Sequence, residues 1–129
     1  MARYETILID AESTLDGAAR QVAALVGSRP KRGTDATGAD YWSIELPSGV
    51  VGWVATADYE DDRGMPLSQY RFEIDIGGPE KDVARQESAA RELYDRLVAS
   101  TDWPLLLTFN DLQRRVDSRE IKPVARQRP

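Results

Sequence analysis

The sequence contains no cysteine and no histidine. Without cysteine there is no disulfide, no thiol nucleophile and no cysteine-ligated zinc. Without histidine the commonest general base is missing, together with the Ser-His-Asp triad and nearly all zinc and copper catalysis. No apolar run approaches the roughly 20 residues that cross a bilayer. The longest candidate, Leu105-Leu106-Leu107, has the length of a strand core. The first residues, Met-Ala-Arg-Tyr-Glu-Thr-Ile-Leu-Ile-Asp, enter a strand-like alternation directly, with neither the basic start nor the apolar stretch of a signal peptide. These absences lead us to expect a cytoplasmic protein with no membrane partner and no cofactor.

What is present is 129 residues, 41% hydrophobic and 30% charged, enough for one domain with its own core. The charge is unevenly divided. Residues 1–112 carry 11 Lys and Arg against 20 Asp and Glu, a net of −9, and residues 113–129 carry 6 against 2, a net of +4. A body of that sign repels a phosphate backbone, so no nucleic-acid partner is expected. It attracts a basic protein surface and speeds the encounter.

Apolar periodicity places the elements. Residues 3–10 alternate, with Tyr4, Thr6 and Leu8 on one side and Glu5, Ile7 and Ile9 on the other, a strand partly covered on both faces. Leu15, Ala18, Ala19, Val22, Leu25 and Val26 form a helical stripe. Ser13, three residues before Asp16, suggests the start of this helix, and Gly27 suits its left-handed end. Residues 28–40 have no period and read as a long loop. Tyr41–Leu46 and Val50–Ala57 read as two strands around Pro47-Ser48-Gly49, with Gly52 marking a bulge or a close backbone approach. Tyr70, Phe72, Ile74 and Ile76 alternate with Gln69, Arg71, Glu73 and Asp75. That strand is expected to have one core face and one wet face. Gly77-Gly78-Pro79 then opens a helix, with Pro79 at its first position. Val83, Ala90, Leu93, Tyr94, Leu97 and Val98 form the expected buried stripe of that helix. Trp103 to Asn110 reads as a last core strand, and Leu112–Val116 as a short edge strand. The expected domain is 1–117, followed by a basic, disordered tail at 118–129. The order β-α-β-β-β-α-β-β implies an α+β fold, a mainly antiparallel sheet of five to six strands with two helices on one face.

Candidate chemistry is confined to carboxylates. Asp58, Glu60, Asp61 and Asp62 crowd into five residues, a density that could hold Mg²⁺ or Ca²⁺, yet the spacing lacks the alternate ligands of an EF-hand. A solvated acidic loop is the plainer reading, and no metal is expected. Glu73 and Asp75 lie about 7 Å apart by the pleat of the strand, a separation compatible with acid–base work on a glycoside. The expected wetness of their face argues against the pKa tuning that such work requires. Trp42 and Trp103 are expected in the core, whereas Tyr59 beside the acidic loop suits a surface anchor. Asp58, Tyr59, Glu60, Asp61, Asp62, Glu73 and Asp75 are therefore the candidate partner-binding residues, and no catalytic residue is assigned.

In their order, the early strand Tyr4–Asp10 with its helix, the Tyr-Arg-Phe-Glu-Ile-Asp strand of Tyr70–Asp75 running into a long helix, and Leu105-Leu106-Leu107-Thr108-Phe109-Asn110 with Leu112 to Arg115 after it make the chain resemble bacterial immunity proteins that neutralise polymorphic toxins. The similarity spans most of residues 3–117. It implies a stoichiometric inhibitor of the bacterial cytoplasm, usually encoded beside its cognate toxin, and it brings no catalytic motif. The acidity of the chain suits a toxin with a basic surface, and a monomer or weak dimer is expected. The long 28–40 segment and the basic tail depart from the pattern. The alternative is an adaptor or self-associating module that uses the exposed sheet face.

Overall fold

A computed structural model describes residues 3–78 and 82–119. Its elements are β1 (Glu5–Ile9), α1 (Leu15–Leu25), β2 (Lys31–Thr34), β3 (Asp40–Glu45), β4 (Val51–Thr56), β5 (Phe72–Gly77), α2 (Val83–Ser100), β6 (Leu105–Phe109) and β7 (Arg114–Arg119). The strands form one seven-stranded sheet in the order β2-β3-β4-β5-β1-β6-β7, with every neighbouring pair antiparallel. The fold is α+β, as the order of elements implied, with one more strand than the upper expectation.

The additional strand is β2, inside the segment read as a loop. It is exposed and so has no apolar period to betray it. Its pairing with β3 holds it, through a turn in which the Asp35 carboxylate accepts from the Thr37 amide, the Thr37 hydroxyl and the Ala39 amide. Gly38, at φ 89°, supplies the left-handed residue that this turn needs. The last strand is also longer and later than expected, at Arg114–Arg119. Ser118 and Arg119 thus belong to the sheet rather than to a tail, and residues 120–129 lie outside the described residues. The Arg119 guanidinium locks this end by donating to the carbonyls of Trp103 and Val98.

Both helices pack on one face of the sheet. In α1, Thr14 rather than Ser13 caps the start, its hydroxyl accepting from the Gly17 amide at 3.0 Å. Ala18, Ala19, Val22 and Ala23 are buried, and Gly27 is left-handed at φ 67°, as its position suggested. Asp82 caps α2 by accepting from the Arg85 amide; Pro79 lies outside the described residues. The stripe of α2 is Gln86, Ala89, Ala90, Leu93, Tyr94 and Leu97. Val83 and Val98, expected in it, are each 39% exposed, because Val83 precedes the turn that meets the sheet and Val98 sits about 100° around the helix from Leu97. Beneath the helices lie Ile7, Ile9, Ile44, Val54, Phe72, Ile74, Ile76, Leu105 and Leu107, each buried aliphatic contributing roughly 1.5–3 kcal/mol. Trp42 and Trp103 are buried here as expected, the Trp42 indole donating to Asp16 at 3.0 Å. Gly52 marks a close approach: a Cβ there would sit 3.3 Å from the Ile74 side chain, and the pairing on both sides runs without a break.

Glu5 is an unexpected core member. It shares the helix-covered face with Ile7 and Ile9 and is fully buried. Its carboxylate accepts from the Arg3 guanidinium (2.9 Å), the Gln86 amide (2.8 Å) and the Asn110 backbone (3.1 Å). A charge taken out of water needs such partners, and these join the ends of β1, α2 and β6.

Among the described residues, the other sheet face carries no α-helix but is not bare. The segment between β4 and β5 folds back across it, burying Met65, Leu67 and Tyr70 against Leu8 and Leu106 as a second, smaller core. Among the described residues, this flap covers the β1–β6 side and leaves Tyr41, Ser43, Val51, Trp53 and Ala55 of β3 and β4 partly exposed.

Candidate functional site

Strand alternation sends Phe72, Ile74 and Ile76 of β5 towards the helices and Glu73 and Asp75 to the opposite face. Register then sets their neighbours. Glu73 lies between Ala55 of β4 and Leu8 of β1, and Asp75 between Trp53 of β4 and Thr6 of β1. The Tyr59 hydroxyl reaches down from the flap and donates to Glu73 at 2.6 Å, and the Thr6 hydroxyl donates to Asp75 at 2.7 Å.

The expected wet face is therefore half-buried at these two residues. Alternation correctly showed which way the carboxyls point; the flap that covers them is a tertiary feature that alternation does not encode. The two carboxyls act on each other, the Asp75 charge raising Glu73 while the Glu73 hydrogen bond opposes the rise of Asp75. Burial, and next the Asp75 charge, push the Glu73 carboxyl up to about 8, against the pull of the Tyr59 hydrogen bond. Burial likewise raises Asp75, opposed by Thr6. Burial and the Glu73 hydrogen bond hold the Tyr59 phenol well above its ordinary range, so it remains a donor. Such a pair holds one proton between two carboxyls at neutral pH.

Among the described residues, no Lys or Arg forms an ion pair with either carboxyl. Arg71, just before β5, instead pairs with Asp10 at 3.2 Å, without hydrogen-bond alignment at that oxygen. A further carboxylate, Asp111, adds its negative field to Asp75. Asp111 also accepts from the Tyr4 amide, while its own amide donates to the Tyr4 carbonyl. The turn carrying it has three successive left-handed residues, Asn110, Asp111 and Leu112. This clasp positions Tyr4, whose ring meets Trp53 edge-on at 5.9 Å and 85°. Gly77 leaves room for both rings, since a Cβ there would lie 3.0 Å from Tyr4 and 3.5 Å from Trp53.

The acidic loop behaves differently. Asp61 accepts from the Ser68 amide and hydroxyl at 2.9 and 2.6 Å, and these bonds lower its pKa. Asp62 pairs with Arg63 at 2.6 Å. Two of the four loop carboxylates thus shape the flap itself. Asp58 and Glu60 are exposed. Among the described residues no three Asp or Glu side chains converge as a cation site would need, and no helix is long and apolar enough to cross a membrane.

Of the sequence-level candidates, the structure brings Tyr59, Glu73 and Asp75 together and leaves Asp58, Glu60, Asp61 and Asp62 on the flap beside them. Tyr4, Thr6, Trp53 and Asp111 join the group. Both faces of β4 are apolar in sequence, so alternation alone did not decide whether Trp53 lay in the core or on the partly exposed side. A hollow of about 490 Å³ lies elsewhere, on the outer face of α2 between Arg91, Glu92, Asp95 and Arg96. No family model, curated protein or solved structure matches this chain significantly.

Proposed function

We propose that the protein is a stoichiometric, non-catalytic inhibitor, an immunity-type protein of the bacterial cytoplasm that covers a basic surface of a cognate toxin. The observation that carries this reading is the helix-free face, where a half-buried carboxyl pair, without a cation among the described residues, sits beside the partly exposed Trp53 ring. A buried acid pair that repels itself costs stability, and groups of this kind concentrate where a protein meets a ligand. The described residues carry 13 Lys and Arg against 20 Asp and Glu, a net of −7, a field that speeds approach of a basic protein. The flap carboxylates Asp58 and Glu60 lie at the rim, where charges act mainly on association rate, and the ring and the acid pair supply the desolvated centre that slow release requires.

Co-expression with the product of the adjacent gene tests the proposal. Protection of the cells and a one-to-one complex that weakens with added salt are expected. An unprotected culture, or a salt-insensitive complex, contradicts it. The second reading, self-association through the same face, draws on the partly exposed Tyr41 and Trp53. The acid pair opposes it, since a second copy would set four carboxyls against one another.

A further inference from the structure

The open side of the helix-free face has a particular chemistry. Trp53 and Asp75 are direct cross-strand partners, which puts ring and carboxyl side by side. Tyr4 packs against the ring at nearly a right angle, and Glu73 completes the acidic side. We propose that this face docks a basic partner protein through one arginine side chain, its guanidinium lying against the Trp53 ring and forked to the Glu73 and Asp75 carboxyls. The inference rests on the protein-binding reading above and specifies the group that the face receives.

Three observations favour arginine. A planar guanidinium can stack on an indole while donating two parallel hydrogen bonds to neighbouring carboxyls, which an ammonium cannot do. Among the described residues the pair has hydroxyl donors, Tyr59 from the flap and Thr6 from β1, and no cation, so the charge is left for a partner to meet. The face is also an open sheet surface, which suits a side chain projecting from another protein. Arrival of the guanidinium favours the doubly ionised pair and expels the proton that Glu73 and Asp75 share. Among the described residues, the titratable groups facing the pair are Tyr59 and Asp111, and neither supplies a compensating positive charge.

The test is a titration of the full chain with a blocked arginine dipeptide, alongside blocked lysine and citrulline dipeptides. The indole N–H resonances are followed by NMR, and proton release by calorimetry in two buffers of different ionisation enthalpy. The arginine probe is expected to move the Trp53 indole signal, leave those of Trp42 and Trp103 in place, and release up to about one proton at neutral pH. The lysine probe should respond several-fold more weakly and citrulline not at all. The double variant E73Q/D75N should weaken the arginine response at least roughly tenfold, while D95N on α2 retains it. An unmoved Trp53 signal overturns the proposal. So do equal responses to arginine and lysine, a response that survives in the folded double variant, or a dimer that buries Trp53. A chain that ignores the probe yet protects cells in co-expression keeps the inhibitor reading and loses this one; binding of the probe without protection does the reverse.

Discussion

Replacing Glu73 with Gln should make the protein more stable, and only at neutral and alkaline pH. The unfolded chain releases the Glu73 proton near the ordinary carboxyl value of 4.5, whereas burial and the Asp75 charge keep it in the folded state up to about 8. Between those values the native state holds more protons than the unfolded state, so stability falls as pH rises. The stabilising contribution is fully present below the unfolded value and is lost as pH climbs through the folded one. At full strength a shift of that size corresponds to about 5 kcal/mol. Solvent reaches the incompletely buried pair and screens it, which brings the expected loss down to roughly 2–3 kcal/mol. A glutamine accepts the Tyr59 hydrogen bond without the charge. E73Q should therefore match the parent near pH 5 and exceed it near pH 8 by about 2 kcal/mol, or roughly 5–12 °C in midpoint for a chain of this size. Thermal and urea denaturation across that interval measure the difference. Parent and variant curves that run parallel, or a parent whose stability is flat over the interval, would refute the reasoning.

Other expectations follow from the same structure. Arg3→Ala strips the cation from the fully buried Glu5 and should cost roughly 2–3 kcal/mol in urea denaturation, below the fully buried limit because Arg3 is itself 29% exposed. Leu67→Ala loosens the flap; it should cost about 2–3 kcal/mol and move the Glu73 titration, followed by carboxyl ¹³C NMR, back towards the ordinary range. Tyr59→Phe should move that same titration upwards, since the lost hydrogen bond favours the ionised form. Gly52→Ala forces its new methyl within 3.3 Å of the buried Ile74 and should destabilise by about 1–2 kcal/mol in the same denaturation assay.

The fold was legible where burial follows a period. α1, β5 and the buried stripe from Ala90 to Leu97 were readable because each buries one regular face, and β1 and β6 because both of their faces carry apolar residues. β2 was not, since an exposed edge strand is held by backbone bonds and by the Asp35 turn rather than by an apolar pattern. The site was half legible for a related reason. Alternation along β5 set Glu73 and Asp75 opposite the core, but whether that face is wet depends on a chain segment that returns from elsewhere. Met65 and Leu67, two apolar residues in an otherwise acidic and polar stretch, were the local sign that the 58–67 segment packs against something. Glu5 illustrates the opposite case, a charge inside an apolar alternation whose burial is possible only because Arg3, Gln86 and the Asn110 backbone converge on it.

Hydrogen–deuterium exchange on the chain with and without the co-expressed product of the neighbouring gene examines the binding face most directly. Slowed exchange should concentrate on β4, β5 and the flap around Trp53, Glu73 and Asp75, with α2 unchanged. Protection confined to the outer surface of α2, or a complex that forms equally well with E73Q/D75N, would contradict a partner seated on the helix-free sheet.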